Sequence, residues 1–137
     1  MAKTYIRNAW VRINSVDLSD HVRLVTVNQT ADELEVTAMG AYGRERLGGL
    51  RDDSFSIEFY QDWASSSVDQ TLAPLMGGGS LFLVEVATNG TAISATAPKW
   101  SGTALLLSYT PIGDAVGEVA MATVDFPVNG TINRATA

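Results

Sequence analysis

The sequence predicts a mainly β domain, a β-sandwich or partly closed barrel with one short flanking helix at about residues 67–76. Three observations predict it. Several segments alternate polar and apolar residues with the period of two that marks a strand with one buried face. A single stretch, Val68, Leu72, Leu75 and Met76, instead carries the i, i+4, i+7, i+8 stripe of an amphipathic helix. Two Asn-Gly pairs, at 89–90 and 129–130, are the leading signal for two-residue hairpin turns.

In chain order, residues 10–14 alternate around Val11 and Ile13 and form a first strand, and residues 15–20 carry turn chemistry. Residues 21–29 and 34–39 are β-rich runs joined by Thr-Ala-Asp-Glu, which predicts a hairpin between them. Its second strand sets Glu33, Glu35 and Thr37 on one face and Leu34, Val36 and Ala38 on the other, so one face is packed and one acidic. Residues 39–50, with four glycines in twelve positions, predict an irregular loop. A loop of that length is usually functional, and Met39, Tyr42, Arg44, Glu45, Arg46, Leu47 and Leu50 give it the side chains of a contact surface. In the next strand Phe55, Ile57 and Phe59 face inward while Ser54, Ser56, Glu58 and Tyr60 face out.

The serines at 65–67 offer a helix N-cap, and Asp69 falls in the first turn, where the free amides favour its charge. Pro74 cannot sit in a regular helix interior, so the spacing predicts two turns and a kinked or 3-10 exit, ended by the glycines at 77–79. So short a helix is stable only when packed on a sheet. Residues 81–88 form an apolar strand that returns through the first Asn-Gly turn to 91–96. Two long runs, 103–110 and 118–128, follow, and the second Asn-Gly closes a last hairpin.

At 137 residues the chain reads as one domain, 1–137, large enough to fold without a disulfide or a metal. It contains no cysteine, which removes disulfide frameworks, thiolate metal sites and cysteine nucleophiles together. No signal-peptide core or membrane-length apolar run is present, which predicts synthesis in a cytoplasm and no membrane partner. The net charge of −6 is uneven: residues 1–51 hold seven basic and six acidic side chains, residues 52–137 two basic and nine acidic. That balance argues against tight binding to phosphate backbones, which draws its affinity from Lys and Arg. Seven of the nine basic residues are arginine, the cation suited to forked ion pairs at interfaces.

Catalytic chemistry finds little footing. His21 beside Asp20 invites a Ser-His-Asp triad, but no Gly-x-Ser-x-Gly elbow accompanies it and a structural histidine is the plainer reading. The neighbouring pairs Asp52–Asp53 and Asp32–Glu33 read as solvated surface, because adjacent strand residues face opposite ways. The glycines of 39–50 match neither a phosphate loop nor a dinucleotide fingerprint, and no metal-ligand spacing occurs. Three Asn-x-Thr sequons, at Asn28, Asn89 and Asn129, read as turn and strand residues. The expectation is a binding or building protein, with no enzymatic activity and no cofactor.

The order of several phrases then carries a resemblance. Asn8-Ala-Trp-Val-Arg12, Val16-Asp-Leu-Ser-Asp-His-Val22, Glu33-Leu-Glu-Val-Thr-Ala-Met-Gly40, Gly49-Leu-Arg-Asp52 and Phe55-Ser-Ile-Glu-Phe59 occur in sequence. Ser67-Val-Asp-Gln-Thr-Leu72, Ser94-Ala-Thr-Ala-Pro-Lys-Trp100, Tyr109-Thr-Pro-Ile-Gly113 and Thr131-Ile-Asn-Arg-Ala-Thr136 continue the series. Together they resemble the tail tube (major tail) proteins of long-tailed bacteriophages, especially those of actinobacterial hosts, over nearly the whole chain. None of the phrases encodes chemistry, and the specificity lies in their order and spacing.

The resemblance implies a phage tail-tube-like β-sandwich that forms homohexameric rings. Stacked rings make the tube, located in the virion tail, through which DNA passes without specific binding. It further implies strands of neighbouring subunits joined into a barrel around the lumen, and contacts with terminator, baseplate or tip, and tape-measure proteins. On that reading Glu33, Glu35 and Glu58 are candidates for an acidic lumen wall that repels phosphates. The loop 39–50 is the candidate inter-subunit contact. Many tube proteins are longer and some carry an extra C-terminal domain, whereas this chain ends directly after its last hairpin, so a bare tube subunit or a shortened relative is expected. Two other roles remain open at this point. One is another virion β-sandwich, a head decoration or tail terminator; the other is a carbohydrate-binding module with Trp10, Trp63 and Trp100 as its platform.

Overall fold

The computed structural model describes residues 9–77, 80–88, 93–95 and 97–136. Its strands are β1 (Trp10–Ile13), β2 (Val16–Asp17), β3 (Val22–Asn28), β4 (Ala31–Glu35), β5 (Arg46–Arg51), β6 (Ser54–Tyr60), β7 (Phe82–Ala87), β8 (Lys99–Ala104), β9 (Met121–Pro127) and β10 (Asn133–Ala135). They make a five-stranded sheet in the order β10-β8-β7-β1-β2, a three-stranded sheet β3-β6-β9 and a separate β4-β5 hairpin, all antiparallel.

The two larger sheets face each other as a sandwich because their alternating residues demand it. Val11 and Ile13 of β1 with Phe82, Val84 and Val86 of β7 meet Phe55, Ile57 and Phe59 of β6 and Ala122, Val124 and Phe126 of β9 in one buried cluster. Phe82 and Phe126 pack edge to face across it, with ring centroids 5.8 Å apart. One side of the sandwich is sealed. The amide of Leu105 donates to Pro127 O (3.1 Å) and that of Asn129 to Thr103 O (2.7 Å), so the two sheets run together into a partly closed barrel. The other side stays open as a groove of about 280 Å³, where Val25 and Val27 of β3 look toward Val86 and Trp100.

The helix expectation holds in its main part. α1 (Val68–Leu72) passes into a 3-10 turn (Ala73–Leu75) that contains Pro74, and Gly77 follows at φ +111°. Gly78 and Gly79 lie outside the described residues. Val68 and Leu72 are fully buried and Leu75 is half-buried against the core, but Met76 is 44% exposed, so the apolar stripe is shorter than its spacing predicted. The strand registers place α1 at one end of the sandwich, beside the β1–β2 turn and Leu106, where it closes the core instead of lying across a sheet. Ser67 occupies the N-cap position, yet its hydroxyl donates to Asp62 Oδ2 (2.8 Å) and makes no capping bond.

Several pairings differ from the expected ones. β3 pairs with β6 and β4 with β5, so the predicted hairpin of 21–29 with 34–39 does not form. Val25 and Val27 fall opposite Ile57 and Phe55, which extends an apolar face, whereas β4 would have offered them acids on every second residue. The glycine-rich 39–50 is not wholly irregular either, since β5 begins at Arg46 and runs through Gly48 and Gly49. The strand predicted at 103–110 lies at Lys99–Ala104, where Lys99 and Trp100 pair with Ala87 and Val86. Asn129-Gly130 turns, with Gly130 at φ +104°, but carries the chain across from β9 to β10 in the other sheet. That crossing buries Ile132 in the core. The turn segment 15–20 contains the short strand β2, joined to β1 by Asn14 and Ser15, both at positive φ as a type I′ hairpin requires. The Asn89-Gly90 turn and residues 91, 92 and 96 of the predicted return strand lie outside the described residues.

Candidate functional site

The same registers that put α1 at one end of the sandwich put the ends of β3 and the start of β6 at the other, and there the β4-β5 hairpin leaves the body. Its ladder continues into the tip, with Val36 N donating to Glu45 O (2.8 Å) and Glu45 N to Thr37 Oγ1 (2.9 Å). Gly49 serves close approach: a Cβ there would stand 3.0 Å from the Cβ of Asp32.

The hairpin has two faces. Leu34 stands opposite Leu47 on one, and Glu33, Glu35 and Arg46 share the other. Both faces are open to solvent: Leu34 is 51% and Leu47 58% exposed. Met39, Tyr42, Arg44 and Glu45 lie on the tip and Arg46, Leu47 and Leu50 on β5, all exposed. The structure thus gathers all seven predicted contact residues on one projecting arm. A two-stranded ribbon with no core of its own is marginally stable in water, so this arm calls for a covering surface.

The three candidate lumen carboxylates do not share a sheet. Glu33 and Glu35 are on the arm and Glu58 is on β6. Each is held by an arginine: Glu33 by Arg46, Glu35 by Arg44 at 3.8 Å, and Glu58 by Arg23 at 2.9 Å. Glu58 belongs to the outward face of the three-stranded sheet, whose cross-strand rows are Leu24-Glu58-Thr123, Thr26-Ser56-Asp125 and Asn28-Ser54-Pro127. Four hydroxyls, Thr26, Ser54, Ser56 and Thr123, and the amide of Asn28 make up just over half of those rows, beside Pro127 and an exposed Leu24. Asp125 is its one acid with no ion-pair partner among the described residues.

Asp53, read from sequence as half of a solvated pair, is fully buried. Its Oδ2 meets Arg51 Nη2 at 2.7 Å and accepts the amide of Ile132 at 2.8 Å, while Oδ1 is buried with no hydrogen-bond partner. The signal was present: residue 53 is in phase with Phe55, Ile57 and Phe59, on the inward side of the strand. Glu85 is the second buried acid the sequence did not reveal. It lies between Lys99 (3.4 Å) and Arg12 (3.8 Å), two cations that also flank the Trp10 ring.

His21 does meet an acid and a serine, but not as a triad. Its Nε2 is 3.0 Å from Asp62 Oδ2 and 3.4 Å from Ser67 Oγ, and the serine hydroxyl donates to the same carboxylate oxygen. A nucleophile needs a base to take its proton through the imidazole; here both partners crowd one ring nitrogen. The backbone amide of Ala64, then the Ser67 hydroxyl, hold the Asp62 carboxyl below its ordinary range. The cluster ties the start of β3 and the end of β6 to α1.

Trp10 and Trp100 lie on opposite faces of the five-stranded sheet and Trp63 lies beyond β6, so the three tryptophans share no platform. No group of three or more potential metal ligands occurs among the described residues. No helix among them is long and apolar enough to cross a membrane.

Comparison with solved structures finds chains of similar fold. A chain in the virion of a native gene transfer agent particle has a TM-score of 0.77 at 14% identity, over 97% of this chain and 99% of that one. A chain in the sheath-tube complex of the extracellular contractile injection system PVC, in the extended state, has a TM-score of 0.73 at 11% identity, over 98% and 93%. A chain in the tail of an empty gene transfer agent particle, refined with C6 symmetry, has a TM-score of 0.68 at 17% identity, over 84% and 82%. No protein-family model matches the sequence, and no curated protein matches it. The chain has a tail-tube-like fold.

Proposed function

We propose that this protein is a structural subunit of a tail tube, assembling as stacked hexameric rings in a virion tail. The observation that carries the reading is the two-faced β4-β5 arm, uncovered in the single chain and projecting from a body with a tail-tube-like fold. A second copy of the chain is the natural cover, because the arm adds both an apolar surface and open strand edges to any neighbour. The C6 symmetry of a structural relative supports six subunits per ring.

The outward face of β3-β6-β9 is the proposed lumen wall. Its hydroxyls and amides offer DNA no cation except Arg23, which Glu58 already holds, and Asp125 leaves a net negative charge. Such a face lets phosphates pass without a sequence-independent grip. Glu33 and Glu35 would extend the wall along the arm. Terminator, baseplate or tip, and tape-measure proteins are the expected partners, and synthesis precedes assembly in the host cytoplasm. The protein has no enzymatic role in this scheme.

Negative-stain images of the concentrated protein test it. Rings with a central hole, or tubes, are the expected result; channel-free trimers would point to a decoration protein, and a persistent monomer would refute assembly altogether.

A further inference from the structure

We infer that Asp53 is the positioning residue of the arm, a buried latch that sets the angle at which the β4-β5 hairpin leaves the body and so presents it to a neighbouring subunit. The inference rests on the tube reading for its consequence, though not for its geometry.

The arm joins the body through two short crossings, residues 29–30 and 52–53. The first set of bonds there, Asp52 N to Thr30 O (2.9 Å) and Thr30 Oγ1 to Asp52 O, ties one crossing to the other and leaves their common direction free. Asp53 supplies the tie that does fix direction. Its own carbonyl accepts the amide of Val128 (3.0 Å), which holds its backbone to the sealed side of the sandwich. Its carboxylate then reaches both ways: to Arg51, the last residue of the arm, and to the amide of Ile132, just before β10 of the opposite sheet. Arm, three-stranded sheet and five-stranded sheet therefore meet at one side chain.

A folding role alone does not call for a charge at this place. A fully buried carboxylate with one oxygen unsatisfied is poorer for stability than an apolar side chain in phase with Phe55, and one whose ion-pair partner is 38% exposed is not strongly repaid by Coulomb attraction. What the charge provides is direction. The guanidinium of Arg51 is planar and forked, so holding it at 2.7 Å orients the strand that carries it.

The chain has no cysteine, so spin labels at Tyr42→Cys on the arm tip and Thr103→Cys on the body are unique. The unsubstituted pair should give one narrow tip-to-body distance distribution by pulsed electron spin resonance in dilute protein. Asp53→Asn retains an oxygen for the Ile132 amide but removes the charge. It should broaden the distribution at least twofold and raise the concentration needed for tubes at least tenfold, with the body still folded. The double variant Arg51→Gln/Asp53→Asn, which leaves no unpaired charge, should behave alike. A folded variant with an unbroadened distribution overturns the inference. Loss of folding in both variants also overturns it, by assigning Asp53 to the stability of the body. If the unsubstituted protein forms no tubes, the tube reading fails, and the distance distribution still decides the role of Asp53.

Discussion

Replacing Leu34 and Leu47 together by serine separates the arm's role in assembly from its role in folding. The two leucines face each other across the hairpin, 51% and 58% exposed, and neither belongs to the buried core. Full burial of a leucine contributes about 1.5–3 kcal/mol, so covering the remaining half of both is worth roughly 1.5–3 kcal/mol in all. At about 1.4 kcal/mol per decade, the contact made by each arm should weaken by roughly 10- to 150-fold. Within the monomer only the cross-strand pair is lost, about 0.2–1 kcal/mol in a ribbon outside the core. The melting temperature of dilute protein should therefore move by no more than about 4 °C. The assay is the protein concentration at which sedimentable tubes first appear, read beside thermal unfolding followed by circular dichroism. Tubes forming at the unsubstituted concentration would refute the reasoning, since the apolar face would then be uncovered in the assembly as well.

Three further outcomes are expected. Leu72→Asp, at a fully buried position where α1 closes the end of the core, combines a leucine-sized core loss of about 2–5 kcal/mol with a buried charge and should unfold the subunit or lower its melting point by more than 10 °C, whereas Met76→Asp at 44% exposure should shift it little. Arg46→Glu places a third acid beside Glu33 and Glu35 and should abolish tubes without changing the melting of the body; Arg46→Gln, judged by the same negative-stain assay, should lose less. Because the Asp62 carboxyl sits below its ordinary value of 3.8 in the fold, its contribution is complete above that value and fades as pH falls through the folded one, so Asp62→Asn should show a smaller loss of melting temperature between pH 6 and pH 3 than the unsubstituted protein. An equal loss in both would show that Asp62 does not report the acid transition.

What was legible in the sequence was local. The inward phase of Phe55, Ile57 and Phe59, the start of α1 at Val68 and the 3-10 exit at Pro74 all follow from side-chain period and proline geometry, and each is found where expected. The partner of a strand is not local. Alternation in β4 showed that Leu34 and Glu33 face opposite ways, but only the matching alternation of β5 could claim it, and Gly48-Gly49 disguised β5 as a loop. Both sit on an exposed arm, and only Gly49 is called for by a close neighbour, Asp32; at Gly48 nothing lies within 4 Å of where a Cβ would stand. The second Asn-Gly pair misled in the same manner: it marks a turn, and nothing in two residues says whether the chain returns to its own sheet or crosses to the other. Asp53 was hidden by its neighbour, because a pair of acids reads as surface until the phase of the following strand is carried back through it.

The pairing of the acids changes how a tube wall would repel DNA. A carboxylate held by arginine presents a dipole, whose field fades faster than that of a charge and is further screened beyond about 8 Å at physiological ionic strength. Glu33, Glu35 and Glu58 are all of this kind, so they contribute less to a long-range negative potential than their count implies. Their arginines, in turn, are partly engaged and so less available to phosphate, which would matter more in a conduit: a free arginine offers a bidentate hold that a hydroxyl cannot match. In the proposed tube the wall would work chiefly by withholding cations. In the proposed ring the unpaired carboxylate of Asp125 would supply the remaining repulsion, and the rows of Thr26, Ser54, Ser56 and Thr123 a surface that water already satisfies.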